Sequence, residues 1–240
     1  MKRSILRIGL IGCVLAGMLL SGGAALAQDD ELPEPGLLPD SPFYLLDKFS
    51  KSIGMFFAFG DEANAGKALD YAGERLAEAR AMKAKNKLRE MEQATDDYQD
   101  FMERVRTRLN ATVEAGTSDN ISERVALATG RHFNVLDDLA EDLPEEAVGA
   151  VNRARLASMN GQENALRALV RTRAERALEL NSDAIEGQLE RLRTRAGQNG
   201  ADEVEEELVI TDRLLQLEEE LTALAEEQGI DLTAVRQRLA

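Results

Sequence analysis

Residues 210–224 read ITDRLLQLEEELTAL, and their apolar side chains recur at alternating spacings of four and three. The repeat consists of Ile210, Leu214, Leu217, Leu221 and Leu224. Such a heptad pattern is typical of a helix that buries one stripe against another helix. It predicts a helix over residues 202–228, which Gly229 ends, followed by a short last helix capped by Asp231.

A second apolar stripe precedes this helix across the turn Gly-Gln-Asn-Gly at 197–200, and consists of Leu178, Ile185, Leu189 and Leu192. Folding back at the turn would bring the two stripes together. Residues 171–240 are therefore predicted to form an antiparallel coiled-coil hairpin, with a coiled-coil dimer through residues 202–228 as the alternative to a monomer.

Charge supports the same hairpin, because arginines precede the turn and glutamates follow it. The arginines are Arg167, Arg171, Arg173, Arg176, Arg191, Arg193 and Arg195, and the glutamates are Glu203, Glu205, Glu206, Glu207, Glu218, Glu219 and Glu220. We expect these faces to pair side by side. An arginine cluster can also bind RNA or phosphate, but an acidic helix beside it disfavours that use.

Upstream, apolar residues recur at helical spacing over 61–87, 88–109, 121–143 and 144–196, the last weakened near 158–161. Pro144 and the two glutamates after it are suited to a helix start. The chain is thus predicted to be all-α, an elongated bundle of long amphipathic helices, with residues 43–170 forming the bundle proper.

The first 27 residues have the pattern of a secretory signal: three bases, an apolar run, and small residues at Ala25 and Ala27. Cleavage before Gln28 is expected, which predicts an exported protein that is secreted, periplasmic or at the cell surface. Two alternatives are lipidation of Cys13, which lies early in the apolar run, and an uncleaved membrane anchor.

Residues 28–42 contain five acids, four prolines and no base, which predicts an acidic, solvated linker. Residues 43–59 hold five of the seven phenylalanines and are predicted to be a short apolar helix. That helix would close the apolar end of the bundle, or dock on a membrane surface or a partner.

The formal net charge is −15, and removal of residues 1–27 would leave −18. Such a chain repels phosphate backbones, so nucleic acid is not expected as a partner. Cys13 is the only cysteine, which excludes disulfides and thiol chemistry from the rest of the chain.

No catalytic, metal-binding or cofactor-binding pattern emerges, and no small-molecule substrate is evident. His132, the single histidine, lies in an apolar stripe and is predicted to be a hydrogen-bonded core residue. The acids around Pro144 lack the spacing of a calcium loop and are predicted to be a solvated face with helix-start charges. Asn110 and Asn120 each begin an N-glycosylation acceptor triplet.

Several stretches resemble a family of exported prokaryotic helical proteins that is known only as a domain of unknown function. The first is Leu-Pro-Asp-Ser-Pro-Phe-Tyr at 38–44, with Ala-Gly-Glu-Arg-Leu-Ala at 72–77. The second is His-Phe-Asn-Val-Leu at 132–136, then Leu-Pro-Glu-Glu-Ala at 143–147 and Gly-Gln-Glu-Asn-Ala-Leu at 161–166. The resemblance covers about residues 37–170 and implies an extracytoplasmic helical fold with no established activity.

These observations predict a non-enzymatic, exported scaffold or protein-interaction module. The alternative is an envelope chaperone, or a sensor that responds to cations or another ligand. An apolar cleft open between the helical hairpins would favour the chaperone, and a closed bundle would favour the scaffold.

Overall fold

A computed structural model describes residues 32–36, 38–41, 60–116, 118–198 and 205–233, which form six helices and no strand. The helices are α1 (Asp61–Ala84), α2 (Leu88–Glu114), α3 (Asp119–Ala140), α4 (Glu145–Leu169), α5 (Ala174–Gln198) and α6 (Glu205–Glu227). The prediction of an all-α bundle is confirmed. The predicted signal segment, the apolar helix at 43–59 and the last short helix lie outside the described residues, apart from Thr233.

The single long helix predicted over 144–196 is wrong, because α4 and α5 are separate. No weakening occurs near 158–161; α4 ends at Leu169, and the Arg173 N–H closes a turn onto the Leu169 carbonyl at 2.8 Å. Gly161 of α4 packs closely against the end of the Met102 side chain. A Cβ atom there would lie 2.5 Å from Met102 Cε, so this glycine marks a helix contact and not a helix end.

The six helices form three consecutive antiparallel hairpins: α1 with α2, α3 with α4, and α5 with α6. In each hairpin, polar contacts join the two helices or a helix and the turn that follows its partner. These contacts are Arg108 to Asp61 at 2.9 Å, Thr172 to Asp119 at 2.7 Å, and Asn181 Nδ2 to the Leu214 carbonyl at 3.1 Å.

Successive hairpins stack in parallel, so that α1, α3 and α5 form one layer and α2, α4 and α6 the other. Two pairs of polar partners in neighbouring hairpins, Glu123 with Arg173 and Glu163 with Arg213, are separated by 50 residues, and others are separated by 53–58. These other pairs are Asp70 with Arg124, Arg80 with Asp138, Asp96 with Arg153, Glu123 with Arg176, Asn160 with Arg213, and Arg167 with Glu220.

The predicted stripe of α6 is buried, with Leu217 and Leu221 in the main hydrophobic core and Leu224 partly buried against it. Its first two residues, Ile210 and Leu214, instead join a smaller cluster with Phe133 and Met159 of the middle hairpin. The stripe therefore contacts more than its hairpin partner, and the coiled-coil geometry stays a prediction.

A lysine of α1 caps the end of α3. Lys83 Nζ donates to the Asp138 and Glu141 carbonyl oxygens at 2.6 and 2.7 Å, which satisfies free carbonyls at the end of α3. Ser118 occupies the position before α3, but its side chain makes no capping hydrogen bond.

The described part of the acidic linker lies against the bundle. Leu32 and Leu38 pack on the main core, and Asp40 pairs with Lys85 at 3.1 Å and Lys87 at 2.8 Å. Hydrogen bonds from these two lysines, Lys87 first, lower the pKa of the Asp40 carboxyl.

Candidate functional site

A narrow groove between α3 and α5 is the feature of the molecule best suited to recognition. It holds a cavity of about 40 Å³, and Gly130 and Gly187 lie on its two sides. Leu127 stands at its rim and is 42% exposed, one of the few large apolar side chains that meet solvent. We call this feature the α3–α5 groove.

Neither glycine of the groove is required by packing. A Cβ atom on Gly130 would meet no atom within 4 Å, and one on Gly187 would meet only the end of Arg191, at 3.8 Å. Glycine inside a helix costs about 0.5–1 kcal/mol relative to alanine. The two residues therefore lower the stability of their helices and leave open space between them.

The lining of the groove combines apolar, amide and charged side chains, among them the carboxylate of Asp183. Phe133 and Leu214, both from the smaller hydrophobic cluster, supply the apolar part. Gln162 of α4 and Gln188 of α5 also line the groove and are 1% and 0% exposed. Two of their atoms, Gln162 Oε1 and Gln188 Nε2, are buried and have no hydrogen-bond partner among the described residues.

The orientation of Gln188 is fixed by Arg191, one turn further along α5. Arg191 Nε and Nη2 donate to Gln188 Oε1 at 3.0 and 2.7 Å, which identifies the oxygen and directs the NH₂ group away from Arg191. Arg191 is in turn held by α3, because its Nε lies 2.8 Å from Asp137 Oδ2 and its Nη1 donates to Asn134 Oδ1.

Asp137 is the centre of a buried charge network that joins three helices. Its carboxylate pairs with Arg155 of α4 as well as with Arg191 of α5. Asp137 and Arg155 are each 4% exposed. Two arginines thus share one buried carboxylate, and this arrangement fixes α5 against the middle hairpin.

A larger, open cleft of about 720 Å³ lies where the start of α1 meets the end of α2 and the start of α3. Its charged lining has both signs, with Asp61, Glu62, Lys67, Asp70 and Arg124. Arg124 pairs with Asp70, and Asp61 pairs with Arg108 of α2 at 2.9 Å. The cleft therefore presents paired charges of both signs beside apolar lining.

His132 is buried in the core, 4% exposed, as predicted. Its Nδ1 lies 3.2 Å from the Tyr98 hydroxyl, which also shares a hydrogen bond with Ser158. Burial lowers the pKa of His132 to about 3, with a smaller effect from the charge of Arg131. The imidazole is consequently neutral and structural at physiological pH.

Lowering the pH should show how the buried, neutral His132 affects the stability of the protein. Because the unfolded chain takes up a proton near pH 6.5 and the folded protein does not, stability should fall below that pH by about 1.4 kcal/mol per unit. The free energy of unfolding of His132→Leu should stay within about 1–2 kcal/mol of the parent value at neutral pH. The variant should also lose the part of the pH dependence that comes from His132. Urea unfolding at about pH 7.5 and pH 5 measures both. Equal pH slopes in the two proteins, or a metal affinity lost with His132, would contradict a structural role.

The predicted pairing of arginines and glutamates across the 197–200 turn is wrong for Arg173 and Arg176, at the start of α5. Arg173 and Arg176 pair with Glu123 of α3, at 2.9 and 2.8 Å. The reason is that α5 lies beside α3, whose acids face it. Arg167, which lies on α4, does pair with Glu220 of α6 at 2.9 Å. The side chains of Arg195, Glu203, Glu205, Glu206 and Glu207 lie outside the described residues.

The remaining predicted positions are dispersed. Asn110 and Asn120 are both exposed and lie in α2 and α3, on either side of the turn between them, so their glycosylation stays a prediction. Within the described ranges, no three His, Cys, Asp or Glu side chains come close enough together to hold a metal ion. Among the helices described, none combines the length and hydropathy needed to cross a bilayer.

The α3–α5 groove could have been suspected from sequence only through its glycines. Gly130 and Gly187 stand alone inside strongly helical stretches, where a glycine costs stability relative to alanine. Nothing in the sequence shows that the two face each other, because they are far apart in the chain and lie in separate hairpins.

Comparison with known proteins identifies a matching family whose function is unknown. The fold is a stack of helical hairpins, and residues 36–146 match the model of a family described as a domain of unknown function (DUF5667). This confirms the resemblance over that range, which spans α1, α2 and α3 and ends just inside α4. No curated protein and no solved structure matches the chain.

The matched range ends before α5, so the α3–α5 groove has one wall inside the family domain and one outside it. Gly130 and Asp137 lie within the match, whereas Gly187, Gln188 and Arg191 lie beyond it. The groove is therefore a feature that the C-terminal hairpin adds to the domain.

Proposed function

We propose that this protein is a non-enzymatic, exported scaffold that binds a protein partner through its stacked helical hairpins. The observation that carries the proposal is the parallel stacking of three hairpins in two layers. Hairpin stacks of this kind present broad helical surfaces and the grooves between neighbouring repeats, which suit them to protein recognition.

The distribution of polar chemistry supports the same function. His132 and Tyr98 are hydrogen-bonded to each other in the core, and neither lines the α3–α5 groove or the large cleft. The Asp137 network is likewise used to hold helices together. These buried groups thus have structural roles. The groove offers apolar surface and amides beside one carboxylate, Asp183, and one guanidinium, Arg191.

The alternative function, an envelope chaperone or a cation- or ligand-responsive sensor, has less support. A chaperone would offer an open apolar surface to unfolded chains. The large cleft is instead lined by charged side chains, and the α3–α5 groove is too small to hold a segment of unfolded chain.

Photo-crosslinking in the native host tests the proposal. A photoreactive residue at position 127, on the rim of the groove, should yield one discrete protein adduct that the purified partner reproduces. Leu156 provides the matched control, since it is an equally exposed leucine (48% against 42%) on a helix of the other layer. Many heterogeneous adducts would favour the chaperone. Absence of adducts from exposed positions on all three hairpins would contradict a scaffold.

Export is the second part of the proposal and has a separate test. The first residue of the exported protein should be Gln28, after cleavage behind Ala27, and Cys13→Ser should be exported normally. N-terminal sequencing of the exported material checks both. Protein recovered with residues 1–27 and embedded in membrane would show an anchor, and failure of Cys13→Ser to be processed would show a lipoprotein.

A further inference from the structure

We infer that residues 32–36 and 38–41 form a displaceable strap, which covers a docking surface for a proline-containing segment of a partner protein. The surface lies where α1 meets α3, and Gly73 and His132 belong to it. A partner segment of the same chemistry as the strap would replace it there. The inference rests on the proposed function only for the source of that segment.

The first contact of the strap is a proline that occupies the place of a missing side chain. A Cβ atom on Gly73 of α1 would lie 3.1 Å from Pro33 Cδ and 3.2 Å from Pro33 Cγ. Nε2 of His132, which belongs to α3, lies 3.8 Å from the same point. Gly73 is itself buried. The glycine thus leaves a seat for a proline ring at the boundary between the first two hairpins.

The other end of the strap is held by charge at the turn that follows α1. Asp40 pairs with Lys85 and Lys87, at 3.1 and 2.8 Å. The Ser41 N–H donates to the Leu38 carbonyl at 2.8 Å and closes a turn beside this pair of lysines. The strap therefore runs alongside α1 from the middle of the helix to its C-terminal end, and it is fixed at two separate places.

The strap is held weakly enough to detach while the helices stay folded. Residues 33–36 are all exposed, and Leu32 and Leu38 are only partly buried. Within the described residues, no backbone–backbone hydrogen bond joins the strap to a helix. The side chains of Lys85 and Lys87 are 44% and 41% exposed, and ion pairs at such positions contribute little. Segments with so few buried contacts open at much lower free energy than the whole protein unfolds.

The chemistry of the strap defines the segment that would replace it. Proline-rich segments are already extended before they bind, so they lose little conformational entropy on docking. The strap contains Pro33, Pro35 and Pro39, and its acid Asp40 meets two lysines. A competing segment would therefore be extended, with a proline for the Gly73 seat and an acid at the spacing that separates Pro33 from Asp40.

A fluorescently labelled peptide with the sequence of residues 31–42 is the appropriate probe, because it is the strap supplied as a separate molecule. In the parent protein, the attached strap competes at high effective concentration and should exclude the peptide. The double substitution Pro33→Ser and Asp40→Asn removes both contacts of the attached strap. This loosened protein should bind the peptide at least about tenfold more tightly than the parent, as measured by fluorescence anisotropy.

The matched control changes the same residue types within the same segment. Glu34→Gln with Pro35→Ser also replaces one acid and one proline, but both side chains are exposed. This control should exclude the peptide as the parent does.

Two further changes locate the bound peptide. Gly73→Val in the loosened protein fills the seat of the proline and should abolish binding. Gly130→Val should keep it, because a Cβ atom there meets nothing within 4 Å. A peptide that itself carries Pro33→Ser and Asp40→Asn should bind the loosened protein at least about tenfold more weakly. The altered peptide tests the same contacts without any change to the folded protein.

Tighter binding by the loosened protein, lost with Gly73→Val and kept with Gly130→Val, would establish the strap. A loosened protein that binds no peptide, equal binding by the parent, or undiminished binding of the altered peptide would overturn it. Photo-crosslinking tests the scaffold separately. If the peptide binds as expected but no exposed position captures a partner in the host, the scaffold function fails and the strap stands. If a partner is captured but the peptide does not bind, the strap fails and the scaffold stands.

Discussion

Asp137→Ala is expected to destabilise the protein by about 3–5 kcal/mol, because it removes the buried carboxylate with which two arginines pair. Arg155 is 4% exposed and Arg191 has only 23% of its side chain exposed, and both pair with the Asp137 carboxylate. Equilibrium unfolding in urea measures the loss.

Asp138→Ala is the matched control, since it removes the same group one residue later. The Asp138 side chain is 61% exposed and lies 3.3 Å from Arg80, which is itself 44% exposed. Surface pairs of this kind contribute about 0–1 kcal/mol. A similar small loss for both variants would show that the Asp137 network does not hold the hairpins together.

The helices themselves could be predicted from sequence because their causes are local. The spacing of Ile210, Leu214 and Leu217 requires a helix with one buried face, whatever that face contacts. Pro144 directly precedes the first residue of α4, as expected from its fixed φ angle. In both cases the signal and its consequence lie within a few residues of each other.

The break between α4 and α5 could not be predicted in the same way. Gly161 has the residue type that often ends a helix, yet here its missing side chain makes room for Met102 of the neighbouring hairpin. The actual turn at 170–173 contains no glycine or proline. Packing between hairpins, which a single sequence does not display, decided which of the two positions remains helical.

The partners of charged side chains were the least predictable part. Arg173 and Arg176 were expected to face the glutamates of α6, the next helix along the chain. The parallel stacking of hairpins instead places them beside Glu123, 50 and 53 residues earlier. The amides of the α3–α5 groove depend on the same stacking, so the site also could not be found before the hairpins were positioned.

Leu217→Ala is expected to cost about 2–5 kcal/mol, because the side chain is 1% exposed and part of the main hydrophobic core. Removing it would leave a cavity among helices that are constrained on several sides, which limits collapse. Leu215→Ala, two residues earlier on the same helix, deletes the same atoms from a side chain that is 37% exposed. It should change stability by no more than about 0.5 kcal/mol.

The concentration dependence of this loss shows what the α6 stripe contacts in solution. Ile210, Leu214, Leu217 and Leu221 are all at most 6% exposed within one chain, so we expect a monomer in which Leu217→Ala lowers stability equally at every concentration. Sedimentation equilibrium together with urea unfolding at two protein concentrations checks this. A dimer that Leu217→Ala dissociates would mean that α6 leaves the bundle to pair with a second copy.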